Sequence, residues 1–293
     1  MTEPTTATRR FGLNSEYGVL RDVLLCRPDH FKWAGINAIS KAVMAAGIQF
    51  DPAVAMVQHD GMVAMYEELG VRCHFLETDP NLGYQCFARD SSVMTPFGPI
   101  VCLMHQPLRR GEYVSVLDFY KKMDIPIFGH ITTGTMEGGD FHFMMPNTCI
   151  IGCTGERTNE AGAGQAKAML EARDVEVRIA HIPAHFLHLD VIFGMLVPGL
   201  AAVCMDVIPD WIPEWLRSLH IEILPVTYKD AMRLGCNVVS LGHDRVLSTA
   251  HNTSLNERMK AHGLKVYTPE LDMFTQGGGG VHCLCQPLLR DFV

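Results

Sequence analysis

Cys283 follows four consecutive glycines, Gly277 to Gly280, and precedes the apolar run Leu284 to Leu289. Glycine tolerates backbone dihedrals other residues avoid and lets main chain approach a ligand closely. A thiol straight after such a loop reads as a nucleophile at the mouth of a strand. Thiolates attack electrophilic carbon and form covalent intermediates when a base and an orienting group stand nearby. On Cys283 alone, a glycine hinge holding a buried thiol that packs as a small hydrophobe fits equally well.

Two other segments carry the groups such a nucleophile needs. Glu137-Gly138-Gly139-Asp140 sets two acids around paired glycines, where backbone can bend sharply beside buried carboxylates; an ordinary polar turn is the plain alternative. His188-Leu189-Asp190 places an imidazole and a carboxylate two residues apart, on the same side if the segment is a strand. Arg89-Asp90 adds a third carboxylate, which taken alone reads as a surface ion pair or turn cap.

The elements that must position these groups follow a repeat. Ser92 to Met104 breaks at Pro96-Phe97-Gly98, Phe141 to Cys153 at Pro146-Asn147, Val191 to Cys204 at Pro198-Gly199, and Val238 to Ala250 at Gly242-His243-Asp244. Each is turn chemistry between β-prone runs and predicts a hairpin. Helical patterns are expected over Asp51 to Leu69, Tyr113 to Met123, Asn159 to Ala172 and Trp211 to Leu219. A fifth is expected where Ser254 and Glu257 have capping-box spacing and Gly263 marks a stop. The last strand, through Cys283, would find its partner in Val19 to Cys26. That makes about five strand-helix units with a period found in ring-like repeat folds. Arg89-Asp90, the Glu137 motif and the His188 motif precede the first strand of successive units, so a closed ring would gather them at one end of its axis.

The chain has 293 residues, 48% hydrophobic, with formal net charge −8. No linker or low-complexity segment interrupts it, and one domain spanning 1–293 is expected. Without a basic patch, nucleic acid is not an expected partner. No apolar stretch reaches the length of a membrane span. The ten cysteines lie mostly in apolar runs, and Met1 to Arg10 is polar, which points to a reducing cytoplasm rather than a disulfide framework.

The order Arg-Asp, Glu-Gly-Gly-Asp, His-Leu-Asp and a late Gly-rich Cys resembles the guanidine-modifying enzyme superfamily. Its members are arginine and agmatine deiminases, dimethylarginine hydrolases and amidinotransferases. The likeness covers nearly the whole chain. It includes Asn14 to Arg21 with Arg27-Pro28, Glu156-Arg157-Thr158, and Cys283 to Arg290. It implies an α/β fold of the pentein type, a five-bladed β/α propeller with pseudo-fivefold repeats. It also implies Cys283, His188 and Glu137 as catalytic residues and Asp90 and Asp190 as carboxylates holding a guanidinium. Arg157 and Arg109 would read a substrate carboxylate. A small guanidino compound is the expected partner, with no cofactor and no metal, and a homo-oligomer is left open.

The chain also departs from the deiminase pattern. It carries glycines where arginine deiminases have an arginine before the nucleophile, and it lacks their inserted helical subdomain. Pro28-Asp29-His30-Phe31 and Asn37 are similar to a segment of the compact dimethylarginine-hydrolase and arginine-dihydrolase branches. Asp190 suits a guanidinium with free terminal nitrogens. The leading expectation is a hydrolase forming a ureido product, with an amidinotransferase as runner-up and a non-catalytic binding protein as the other class. A metal or redox role for His282-Cys283-x-Cys285 or Cys149-x3-Cys153 lacks zinc-site spacing. Cys285 is expected to share a strand face with Cys283 but to be a packed bystander.

Overall fold

The computed structural model describes residues 9–293; most of the polar opening segment, residues 1–8, lies outside them. Strands form five three-stranded sheets. Four are built alike from consecutive chain. An antiparallel hairpin is followed by a helix or short helices, and a third strand then pairs parallel to the second. Ser92–Thr95 and Gly98–Val101 take Gly129–His130 as third strand. Phe141–Met145 and Thr148–Cys153 take Glu176–His181. Phe193–Val197 and Leu200–Cys204 take Glu222–Val226. Val239–Gly242 and Arg245–Leu247 take Lys265–Tyr267.

The fifth sheet repeats the plan with its chain ends exchanged. Gln286–Arg290 pairs antiparallel with Leu20–Leu25, which pairs parallel with Arg72–Phe75. The first and last segments of the described chain thus complete one sheet, as the sequence predicted. The N-terminal strand also packs on Val239–Gly242, and the C-terminal strand on Ser92–Thr95.

Hairpin strands such as Ser92–Thr95 and Thr148–Cys153 are buried at every position. Both faces are covered, so apolar residues run continuously instead of alternating, as in any sheet packed on both sides. The third strands are partly exposed, and three of them have four residues or fewer; Arg72–Phe75 has no fully buried residue. They do not stand out in the sequence and went unpredicted.

Helix ends match the sequence reading where side chains cap them. Asp51 accepts from the Ala53 and Val54 amides at the start of Pro52–Glu68, and Asn159 caps Glu160–Glu171. The expected capping box is not formed. The helix Thr253–Ala261 takes in Ser254, and its N-cap Asn252 instead donates to Leu234 O and Thr249 Oγ1. Gly263, at φ +83°, does end that helix. A helix over Ala38–Ala45, capped by Asn37, was not expected. Among the described residues no helix is long and apolar enough to cross a membrane.

Candidate active site

A cleft is lined by Cys283, His188, Asp90, Arg109 and Arg157, with Asn37, Tyr84, Phe87 and Gly277 to Gly279 around them. Asp90, His188 and Cys283 each enter from the segment just ahead of a sheet's first strand, and Arg109 and Arg157 from the segments that follow two of the hairpins, so the repeat brings them together. Glycines make the fit possible. A Cβ on Gly138 would run into the Arg89 carbonyl oxygen, and one on Gly139 would lie 2.6 Å from His188 Nδ1. The paired glycines of the Glu137 motif let two units pack backbone to backbone. Gly138 N donates to Asp90 O at 3.1 Å and Gly139 N to Asp90 Oδ1 at 3.2 Å.

His188 is reached by an unusual turn. Leu187 has φ 65° and ψ −69°, and His188 N donates to Phe186 O at 2.7 Å. This is the rare, strained hand of the γ-turn. Strain of this kind persists where surrounding structure over-determines it, often beside functional groups.

The imidazole lies between two carboxylates. Nε2 is 2.8 Å from Glu137 Oε2 and Nδ1 is 3.7 Å from Asp90 Oδ1. Burial works against a charged ring, but Asp90, the Glu137 hydrogen bond and Asp140 outweigh it, and the His188 pKa is pushed up to about 10. Burial likewise opposes an ionised Glu137, yet the His188 bond and Arg157 hold it below the usual carboxylate range. Asp140, which accepts from Leu189 N at 2.8 Å, is pushed up to about 7, chiefly by burial.

Cys283 faces a different carboxylate. Its Sγ donates to Asp190 Oδ2 at 3.4 Å and accepts from Asn237 Nδ2 at 3.1 Å. Burial, then Asp190 and Asp90, raise the thiol well above its ordinary value. Asp190 is held at about 2: burial opposes its charge, but His282 Nδ1 at 2.9 Å prevails. Asp190 Oδ1 is buried without a partner. A buried acceptor left open is costly in an empty site and suits an N–H from a ligand.

Several expectations need correction. His188 and Asp190 do not share a strand face. A 3-10 turn, Leu189–Val191, separates them, so His188 points to Glu137 and Asp190 to Cys283. Arg109 lines the cleft beside Arg157, but its guanidinium is already engaged by protein carboxylates. It is 3% exposed and bonded to Asp90 Oδ2 at 2.7 Å and to both oxygens of Glu112 at 2.7 and 2.8 Å. Arg157 donates to Glu137 Oε2 at 2.9 Å and to Ile36 O at 3.2 Å. Cys283 and Cys285 lie in the turn before Gln286–Arg290, so strand alternation does not apply, and Cys285 is fully buried in the same apolar cluster as Tyr66.

Asn237 was missed. Its Oδ1 accepts from the amides of His282 at 3.0 Å and Cys283 at 3.4 Å while its Nδ2 reaches the thiol. It stands ahead of the fourth hairpin, where the other units carry Asp90, the Glu137 motif and Asp190. Repeat register alone would have pointed to it.

Asp90, Glu137 and His188 offer ligand atoms within 4.8 Å of one another, as do Glu16, His142 and His282. Guanidinium groups already neutralise both sets: Arg109 and Arg157 the first, Arg89, 2.9 Å from Glu16, the second.

A buried thiol and an imidazolium backed by carboxylates, on five small sheets, fit the guanidine-modifying superfamily, and the chain is an amidine-acting hydrolase of that class. It belongs to the family described as N,N dimethylarginine dimethylhydrolase, eukaryotic, whose model matches residues 27–290. It is 26% identical over 279 residues to the uncharacterized protein YkgA of Bacillus subtilis (strain 168), covering 94% of each chain. An arginine deiminase of Listeria welshimeri is 24% identical over 262 residues, and the match spans 74% of this chain and 63% of that enzyme. Two solved structures share the fold. The N-terminal domain of ArgZ, an arginine dihydrolase from the ornithine-ammonia cycle in Cyanobacteria, superposes with a TM-score of 0.80 at 18% identity, covering 92% of this chain and 98% of that one. The dimethylarginine dimethylaminohydrolase of Pseudomonas aeruginosa, solved with citrulline, gives 0.78 at 19% identity, covering 92% and 100%.

Proposed function

We propose that the chain is a single domain in which the five sheets are blades of a closed propeller, and that it hydrolyses arginine or a closely related guanidino compound through a covalent amidino-thioether on Cys283. The observation that carries this reading is that Cys283, His188 and Asp90 line one cleft, with the thiol against Asp190 and the imidazole against Glu137. Relatives named for arginine and dimethylarginine chemistry support the substrate class.

A guanidinium is planar and cationic, and its carbon is a poor electrophile. Asp90 and the open oxygen of Asp190 would each take its N–H groups and fix its plane against the thiol. The substrate's positive charge offsets the carboxylates that keep Cys283 protonated, so the thiol gives up its proton to solvent as the cation binds. The thiolate adds to the guanidinium carbon. His188, charged in the resting site, gives its proton to the departing amine as the C–N bond breaks. Neutral His188 then takes a proton from water, which adds to the amidino carbon. The C–S bond breaks, the adduct's hydroxyl proton passes to the departing thiolate, and the ureido product leaves with the thiol restored and His188 again charged.

Glu137 keeps His188 oriented and charged. Arg109 keeps Asp90 ionised and aimed. Arg157, at the cleft wall, is the cation we assign to a substrate carboxylate.

The test is to incubate the protein with arginine, agmatine, methylated arginines and smaller guanidino acids and to identify products by mass spectrometry, with Cys283→Ser as control. A ureido product in water alone, absent with the variant, is the expected result. Product only after glycine or ornithine is added as acceptor would replace hydrolysis by amidino transfer.

A further inference from the structure

Cys153 and His181 end neighbouring strands and are partners in the parallel register of Thr148–Cys153 with Glu176–His181. In-register neighbours leave the sheet on the same face. Glu160, the first residue of the helix Glu160–Glu171, reaches the same point. Its Oε1 is 3.1 Å from His181 Nδ1 and 3.6 Å from Cys153 Sγ, and the three ligand atoms all lie within 4.8 Å of one another. A tetrahedral zinc ion, with bonds of ~2.3 Å to sulfur and ~2.0–2.2 Å to nitrogen and oxygen, holds its donors about 3.4–3.6 Å apart. The two separations from Glu160, 3.1 and 3.6 Å, already lie close to that spacing.

We propose that Cys153, Glu160 and His181 form a site for zinc, with the fourth position open to water. The ligand chemistry favours zinc over magnesium or calcium, because thiolate and imidazole suit a borderline-soft ion and carboxylate alone does not. Access is open. The Glu160 and His181 side chains are 67% and 69% exposed, while the thiol sits beneath them. On binding, the S–H proton passes to solvent and a zinc–sulfur bond forms; nothing is oxidised. No guanidinium competes here, unlike in the two buried sets beside the cleft.

The site's place in the chain gives it a consequence. Cys153 and Glu160 bracket residues 154–159, the loop that carries Arg157 to Glu137. The same loop supplies Thr158, whose Oγ1 accepts from Glu137 N at 3.1 Å, and is closed by Gly155 N donating to Thr158 O at 2.9 Å. A bound ion ties both ends of this loop and stiffens the wall of the cleft.

Zinc titration followed by calorimetry tests this in the full chain carrying Cys283→Ser, so that the cleft thiol contributes nothing and no catalysis is involved. Failure here is therefore separate from failure of the proposed hydrolysis. One equivalent should bind, and His181→Ala or Cys153→Ser should each weaken it at least about tenfold. Zinc should also slow amide hydrogen exchange over residues 154–159, and not in His181→Ala. Absence of saturable binding, or binding that both substitutions leave intact, overturns the site. Binding without slowed exchange overturns the clamp. His181 is exposed, so its variant is informative even if Cys153→Ser misfolds.

Discussion

Cys283 Sγ lies 3.4 Å from Asp190 Oδ2, so the thiol is hydrogen-bonded to the carboxylate that most opposes its ionisation. In the proposed mechanism the resting thiol therefore stays protonated until a cationic substrate binds. Replacing Asp190 with Asn keeps the acceptor for His282 but removes the charge. Alkylation of Cys283 by iodoacetamide should then speed up several-fold in the free protein, while turnover falls at least about a hundredfold because the guanidinium loses a carboxylate. Slower alkylation in Asp190→Asn would contradict the arrangement.

The charge on His188 sets a pH limit. Its pKa is about 10, raised by Asp90 and Glu137 against burial. If His188 is the general acid proposed above, that acid is present below this value and lost as pH rises through it, so kcat should fall on the alkaline side. Glu137→Gln removes one of the raising carboxylates and should move that limb to lower pH. The same shift bears on stability. A histidine raised above its unfolded value of ~6.5 contributes stability fully present below ~6.5 and lost as pH rises through about 10. The Tm difference between the wild type and His188→Gln should shrink across that window; a constant difference would argue against a charged His188.

Gly139 has no room for a methyl group beside His188 Nδ1. Gly139→Ala should displace the imidazole and lower kcat by about 10²-fold or more, with a modest loss of Tm, since positional errors near 1 Å carry costs of that size. Near-normal kcat would mean that His188 is not where the chemistry occurs.

Asn237 ties the turn at Cys283 together through two backbone amides and the sulfur. Asn237→Ala leaves those amides unpaired and should cost about 1–3 kcal/mol in denaturant unfolding. Turnover should drop further than stability alone explains. An unchanged unfolding midpoint would show that the amides find other partners.

Arg109 is a buried partner of Asp90 and Glu112. Arg109→Met strands two carboxylates, and breaking a buried ion pair costs about 3–5 kcal/mol. The expected outcome is a large fall in Tm accompanied by loss of activity. A variant with normal Tm and a raised KM alone would restore Arg109 as a substrate-reading residue.

Much of this was legible in the sequence because it is local. Turn residues fixed four hairpins, and helical patterns read from Asp51 and Asn159 onward coincide with helices that these two residues cap. The order Arg-Asp, Glu-Gly-Gly-Asp, His-Leu-Asp and Cys named the groups that meet in the cleft. What went unread depends on partners distant in the chain. Third strands such as Arg72–Phe75 are short and half-exposed, so their identity comes from the edge they pair with. The spacing of His188 and Asp190 suggested one shared face, but a 3-10 turn separates them and aims one at Glu137, 51 residues away, and the other at Cys283, 93 residues away. Burial of Arg109 was not legible either; besides Glu112 three residues on, it is claimed by Asp90 Oδ2 and the Tyr84 and Phe87 carbonyls, 19 to 25 residues back. The sequence by itself determined which groups are present and the repeat that carries them. Only the tertiary structure decided which carboxylate faces which base, because the electrostatic and hydrogen-bond energies that select those pairings act across the packed units and not along the chain.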